Sequence, residues 1–400
     1  MATYNPRRFA GLDQLKSIKP ELLMRFFSTY RTYLSTKGFD FPSHPSGEID
    51  YQALSRILVT PDDNTPPDMV NALYYVQEMA TTDLMDMLLG TCRQNKILID
   101  FDPESTSHDI AIQVWLACPD LLMESHARHS VSRKKSFVYF AGKDFKPREF
   151  PSPTAEQLRA IEHDLDAWLE EHRRGRTSRV FMCQQAHKAH IVIRHGKLFT
   201  REASVKTSGS SSVAFYRPET HDFLIYDSQI DEIAVHAETI GERSLYLACI
   251  GKHLFGDETY FPPSDRFTLQ PLIDKGPAAL TCEDIPGLER VRFVEYRKYL
   301  GGEYGEFETR GAKDLFAALG ERRRASLGFG RLVQAVFEFD VTGEKKPRKA
   351  TIRSTNIAVY DRDGDSVLIE QWLRLRGFVI ERANQDAEAP TVLVNPRNAS

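Results

Sequence analysis

The chain has 400 residues, of which 41% are hydrophobic, 27% charged and 10% aromatic. This is the composition of a globular protein with apolar material for more than one core, and it excludes a low-complexity chain. The formal net charge of −4 excludes a uniformly basic binding protein but allows local basic patches.

Residues 1–135 are expected to be almost entirely helical. In the segment PPDMVNALYYVQEMA, the apolar residues Met69, Leu73 and Val76 recur at helical spacing, behind a proline pair suited to a first helical turn. Pro119 should divide a later apolar segment into two helices. We predict a helical N-terminal domain, of the bundle or adaptor type, over residues 1–135.

Residues 136–280 are predicted to form an α+β domain. A helix should begin at Thr154, because Thr154 and Gln157 have the spacing of a capping box. From residue 179 to residue 237 the apolar residues alternate with polar ones, which is typical of short strands. We expect six strands here in an antiparallel meander, followed by a helix that ends at Gly256.

Residues 281–400 are predicted to form a C-terminal α+β segment that ends in a helix and a loosely held tail. Its expected elements are strands at 290–299, 330–341 and 348–354 and helices at 312–324 and 366–376. The fold class predicted for the whole chain is therefore α+β. A helical N-terminal module would be followed by a mixed, largely antiparallel, β-containing body.

The cysteines and the hydropathy pattern bear on compartment. The five cysteines are odd in number, far apart and without a C-x-x-C pair, so they predict neither a disulfide framework nor a zinc site. The first residues lack the apolar core of a signal peptide, and no segment has the roughly 18–20 apolar residues that a membrane span needs. We expect a cytoplasmic protein with reduced thiols and no membrane partner.

The stretch HIVIRHGKLF, residues 190–199, carries an Arg-His-Gly tripeptide at the end of an alternating run. Over about ten residues it resembles the phosphate-binding signature of the histidine phosphatases. In that family the histidine is the nucleophile and the arginine binds the phosphoryl oxygens. The resemblance implies His195 as nucleophile and Arg194 as phosphate ligand. It also implies His236 as a second histidine, with Glu238 nearby as a proton donor.

The same stretch fits a β-hairpin, and this interpretation is preferred. The motif lies in the middle of the chain, and the residues after it continue as strand where the phosphatase fold has a helix. Gly196 would supply the positive φ of a turn between two alternating runs. We expect His195 and Arg194 at this turn, near the Ser-rich loop 205–212, on a surface suited to contacts.

Acidic residues suggest a second catalytic alternative. Asp284 and the strand residues Glu295 and Arg297 resemble the Asp…Glu-x-Lys arrangement of metal-dependent nucleases, with arginine at the lysine position. The acidic run DRDGDS, residues 361–366, departs from a calcium loop, and Asp365 or Ser366 is predicted to cap the last helix. No recognised metal-ligand spacing or nucleotide-binding glycine motif occurs, so neither a metal nor a cofactor is expected.

Basic residues recur in four short clusters, at 128–136, 172–176, 321–324 and 345–349. Such clusters could follow a nucleic-acid backbone, provided that they share one face. The residues predicted to bind nucleic acid are Lys134, Lys135, Arg173, Arg174, Lys345, Lys346, Arg348 and Lys349.

These features predict a non-catalytic binding or adaptor subunit of a multi-protein bacterial system, of the kind found in phage defence. Its expected partners are other proteins and nucleic acid, and nothing in the sequence indicates an oligomeric state. The alternative function is that of a phosphoesterase. It would act through Arg194 and His195 as a phosphatase, or through Asp284 and Glu295 as a metal-dependent nuclease.

Overall fold

The computed structural model describes residues 5–143, 146–362 and 366–380. The chain forms two compact units, Met1–Ser130 with Phe199–Arg217 and Val131–Leu198 with Pro218–Ser400. Two predictions lie outside the described residues, namely the loose tail and the helix cap at Asp365.

The first unit is built from short helices around one apolar core. Its helices are α1 (Arg7–Ala10), α2 (Leu12–Ser17), α3 (Pro20–Phe26), α4 (Arg31–Thr36), α5 (Tyr51–Val59), α6 (Pro67–Met79), α7 (Thr82–Gln94), α8 (Ser107–Ala117) and α9 (Pro119–Ser132). The helical spacing predicted in α6 is confirmed, because Met69, Leu73 and Val76 are all buried in this core. The break predicted at Pro119 is confirmed as well, since α8 ends two residues before it and α9 begins on it.

The chain also contains an extended antiparallel sheet, which belongs to the second unit. The strands are β1 (Ser136–Ala141), β2 (Arg179–Gln185), β3 (Lys188–Gly196), β4 (Thr200–Val205), β5 (Ser211–Tyr216), β6 (Glu219–Asp227), β7 (Glu232–His236), β8 (Leu288–Gly301), β9 (Glu306–Gly311), β10 (Arg331–Val341), β11 (Arg348–Arg353) and β12 (Ile357–Val359). Ten of them form one sheet in the order β2-β3-β6-β7-β1-β12-β11-β10-β8-β9, with every neighbouring pair antiparallel. The predicted α+β class, with helices first and a largely antiparallel β body after them, is confirmed.

The helices of the second unit are α10 (Ala155–Glu171), α11 (Ile240–Ile250), α12 (Gln270–Asp274), α13 (Leu315–Arg324) and α14 (Ser366–Leu375). The capping box predicted at Thr154 and Gln157 starts α10. After α11 the chain makes one π-helical turn that stops at Gly256, whose positive φ ends the helix as predicted.

The two halves of the sheet bury opposite faces. In the half β2-β3-β6-β7, the side chains of Ile191, Leu224 and Val235 share one face and pack in a core with Ile161 and other residues of α10 and α11. We call this the α10 face. Because side chains alternate along a strand, the register carried through β1 assigns each residue of the other half to the α10 face or to its reverse.

In the half formed by β8 to β12, most of the buried residues lie on the reverse side, which we call the α14 face, and Val336 is a buried residue of the α10 face. Phe337 of β10 packs edge-on against Trp372 of α14, and Phe293 of β8 lies 5.4 Å from Phe316 of α13. The α10 face of this half therefore carries the residues that alternate with the core along β8, β10 and β11. Several of these side chains are exposed to solvent.

The six strands predicted between residues 179 and 237 are all present, but the prediction of one meander is wrong. β3 pairs with β2 and with β6, whereas β4 and β5 pair only with each other. This β4–β5 hairpin belongs to the first unit, where Thr207 donates its N–H and its hydroxyl to the carboxylate of Asp63. The meander fails because strand periodicity does not say which strands are partners.

Within the described residues, no helix combines the length and the apolar character required to cross a lipid bilayer.

Candidate functional site

His195 does not lie at a hairpin turn. Gly196 is the last residue of β3 and pairs with Glu219 of β6, and the chain then leaves the sheet for the β4–β5 hairpin. Gly196 also lacks the positive φ that the predicted turn required. The hairpin prediction is therefore wrong, and His195, at 2% exposure, faces the core and cannot form a contact surface.

His195 instead joins a buried ionic cluster on the α10 face. Its Nε2 lies 3.0 Å from Oδ2 of Asp222 on β6 and 3.9 Å from Oε1 of Glu242 on α11. Nδ1 lies 3.0 Å from the carbonyl oxygen of Gly196, which can only accept a hydrogen bond. Alternation places His195 and Asp222 on the same face of neighbouring strands, and the first turn of α11 brings Glu242 above them.

Further donors surround the two carboxylates. The hydroxyl of Tyr246 donates to Oδ2 of Asp222 at 2.6 Å, and the guanidinium of Arg174 donates to Oε1 of Glu242. The other oxygen of Glu242 accepts from the N–H and the hydroxyl of Thr239, as the capping box of α11 requires. Burial, followed by the charge of Asp222, raises the pKa of Tyr246 far above its usual range, so this phenol stays a donor.

The ligand atoms of His195, Asp222 and Glu242 lie within 4.8 Å of one another, so the donor set could in principle hold a cation. The surroundings do not fit one. The Arg174 guanidinium already occupies Oε1 of Glu242, and it adds positive charge beside the position an ion would take. Hydrogen bonds from Tyr246, Thr239 and Arg174 already satisfy the two carboxylates, so we interpret the group as a structural ionic cluster.

The residues that the phosphatase resemblance grouped are not brought together. The register places His236 opposite Phe223, on the α14 face, whereas His195 lies on the α10 face. The side chain of Arg194 is 3.7 Å from Glu219, and Glu238 accepts from Lys197. Burial, the largest effect, and nearby positive charge lower the pKa of His236. The geometry contradicts a phosphatase site built on His195.

The nuclease candidates are also separated. Asp284 lies before β8 and is ion-paired with Arg376, while Glu295 lies seven residues along β8, roughly 20 Å beyond the start of the strand at Leu288. Two carboxylates at that separation cannot share a metal ion, because ligands lie within about 2–2.6 Å of the metal. Glu295 contacts Gln334 of the neighbouring strand instead.

The predicted basic clusters do not share one face. Lys134 lies 5.4 Å over the ring of Phe223 on the α14 face, whereas Lys349 of β11 lies on the α10 face, 3.5 Å from Glu338. Arg174 is committed to the buried cluster. The remaining predicted residues are at the surface or paired locally: Lys135 with Asp361, Arg348 with Glu344, and Arg173, Lys345 and Lys346 in exposed positions.

A different basic surface was missed by the sequence analysis. Arg297 of β8, Arg331 of β10 and Arg353 of β11 are all exposed on the α10 face, and the rings of Tyr299 and Phe307 lie on the same face. We call these five residues the arginine–aromatic surface. None of its arginines has an ion pair with a carboxylate in the part of the chain that the structure describes.

Arginine and aromatic side chains alternate in space on this surface. The Arg297 guanidinium lies 4.2 Å from the centre of the Phe307 ring, and the Arg331 guanidinium lies 6.0 Å from that of Tyr299. The two rings are 5.1 Å apart and tilted. The alternation R-x-Y in VRFVEYRKY was visible in the sequence, but the bulges that set its register against β10 were not.

No model of a known protein family matches this chain, and no curated protein is significantly similar to it. The function is therefore argued from the geometry of the chain itself.

Proposed function

We propose that this protein is a non-catalytic binding protein that holds nucleic acid on the arginine–aromatic surface. The observation that carries the proposal is the set of three exposed arginines, Arg297, Arg331 and Arg353, on adjacent strands of one open sheet face. Guanidinium groups match the geometry of phosphate oxygens and stay charged at every physiological pH.

The charges around the surface favour a polyanion. Arg292 and Lys349, farther along the same face, are neutralised by Glu338 and Asp340. Glu295 is the carboxylate that the described strands place among the three arginines, and it contacts Gln334. The local balance is therefore positive although the whole chain carries a net charge of −4.

Fluorescence anisotropy with labelled oligonucleotides tests the proposal. We expect affinity to fall steeply as salt rises, because bound phosphates release counterions. The double change Arg331→Glu with Arg353→Glu should weaken binding and flatten the salt dependence by roughly one unit of slope per lost contact. Arg159→Glu, at an exposed position of α10, is the matched control and should change neither.

Two results would refute the proposal: no binding at low salt, or binding that the double variant leaves unchanged while circular dichroism shows an intact fold.

We propose, second, that the β4–β5 hairpin binds a protein partner. Its outward face presents Val205, Val213 and Phe215, of which Val205 is 74% and Phe215 67% exposed. Contiguous exposed apolar patches are a recognised mark of protein-interaction sites. This observation supports the adaptor part of the predicted function.

A photo-crosslinking residue at Val213 should give a defined product with one protein in cells. The same residue at Ala214, on the other face of β5, should not. If both positions or neither give product, the hairpin face is not a specific partner site.

A further inference from the structure

We infer that the arginine–aromatic surface is specific for single-stranded nucleic acid, whose unpaired bases stack on Phe307 and on the Arg297 guanidinium. The inference rests on the proposed function, which concerns phosphate binding alone, and adds base recognition at the same surface.

The aromatic rings are placed to meet bases rather than to complete a core. Phe307 is 50% exposed, although a buried environment is the usual one for this side chain. It lies on β9, the edge strand of the sheet, directly opposite Tyr299 of β8. An open sheet face with two adjacent rings is the arrangement that lets successive bases lie flat on aromatic side chains.

Arg297 extends this platform. The central carbon of its guanidinium lies over the Phe307 ring, 4.2 Å from the ring centre, so the surface has an aromatic layer and a planar cationic layer. Both layers accept unpaired bases, and the charge of the second layer also attracts the phosphate next to a stacked base. Arg331 and Arg353 continue the positive charge across β10 and β11, along a path that a flexible single strand can follow.

Duplexes fit this surface less well. Their bases are already stacked on one another and present only edges in the grooves, so Phe307 and Tyr299 would meet the sugar–phosphate exterior. A duplex can still contact the arginines through phosphates, which predicts weak, salt-dependent binding without a contribution from the rings.

The decisive probe separates bases from phosphates. Binding of an oligothymidylate of about 20 nucleotides is compared with that of a strand of equal phosphate number that lacks bases, and with a duplex of equal length. We expect the base-bearing single strand to bind roughly tenfold more tightly than the other two, the size expected when one or two bases stack.

Substitutions test whether the tighter binding of the base-bearing strand arises at the arginine–aromatic surface. Phe307→Ala should remove most of the difference between the two strands, and Phe101→Ala, which changes an equally exposed ring in the first unit, should leave it intact. Arg297→Lys keeps the charge and loses the plane, so it should lower affinity for the base-bearing strand while the base-free strand binds as before.

Three other outcomes would overturn this inference, and one of them would overturn the proposed function as well. Equal binding of the base-bearing and base-free strands overturns this inference and leaves the proposed function standing. Absence of binding to every probe overturns both. A loss on Phe215→Ala in place of Phe307→Ala also overturns it, because the stacked pair Phe199 and Phe215 of the β4–β5 hairpin would then be the platform.

Discussion

His108 should make the helical unit sensitive to acid. This side chain of α8 is buried beside Phe9, and its Nε2 has no hydrogen-bond partner among the described residues. Burial lowers the pKa of His108 from 6.5 to about 4, while Asp109 opposes the shift and Arg8 adds to it. The imidazole is therefore neutral in the folded protein well below the pH at which the unfolded chain would protonate it.

The direction and size of this change in stability follow from the difference in proton binding between the folded and unfolded states. Because the folded pKa lies below the unfolded value, the unfolded state binds the extra proton between pH 6.5 and about 4, and stability falls as the pH falls through this window. The shift corresponds to about 3 kcal/mol once the window has been crossed, and to about 2 kcal/mol at about pH 5.

Amide hydrogen exchange of the α8 peptide, corrected for intrinsic rates, measures this loss. The opening free energy should be about 2 kcal/mol lower at about pH 5 than at about pH 7.5. Other groups titrate in the same range, so the comparison is with His108→Leu, which should lose less stability between the two pH values by that amount. An equal loss in both proteins would refute the assignment to His108.

Two further pairs of substitutions test the architecture by chemical denaturation. Arg174→Met leaves the buried Glu242 uncompensated and should cost about 3–5 kcal/mol, whereas Arg176→Met, in an exposed pair, should cost under about 1 kcal/mol; equal effects would contradict the ionic cluster. Gly142→Ala would place a Cβ in collision with the Asp231 carboxylate and should destabilise the protein, while Gly90→Ala meets open space within α7 and should stabilise it by up to about 1 kcal/mol. If Gly142→Ala is tolerated, that close approach is wrong.

Local structure was largely predictable from the sequence. The capping box at Thr154, the break at Pro119 and the stop at Gly256 all act through residues a few positions apart, so their signals survive without knowledge of the fold. The same holds for strand positions, which depend on period-two alternation.

The pairing of the strands could not be predicted from such local patterns. The sequence between β3 and β6 gives no sign that β4 and β5 leave the sheet and join another unit, since alternation continues through all four strands. His195 was misplaced for this reason, because a turn at Gly196 was assumed where the strand continues its pairing with β6. Contacts between distant segments, such as Asp222 with His195 and Glu242, depend on that pairing.

The basic clusters in the sequence did not predict the arginine–aromatic surface, again because strand pairing decides which residues meet. Runs such as KKPRK concentrate charge along the sequence, yet the arginines that meet on one face come singly from three strands. Arg331 and Arg353 have no charged neighbour and Arg297 has the single basic neighbour Lys298, so no window of the sequence is strongly basic around them all. Antiparallel pairing, with a register shift between Leu332 and Gln334, brings them together.

The net charge of −4 does not oppose binding of a polyanion at this surface. Charges farther away than the Debye length, about 10 Å at 0.1 M salt, are largely screened, so a phosphate near Arg331 responds to the groups within that distance. On the α10 face of β8, β10 and β11 these groups include Arg297, Arg353 and Glu295, whereas Arg292 and Lys349 are already neutralised by carboxylates. As salt is lowered, the acidic remainder of the chain comes within range and should offset part of the gain in affinity. The logarithm of the affinity against that of salt should therefore curve toward a smaller slope at low salt.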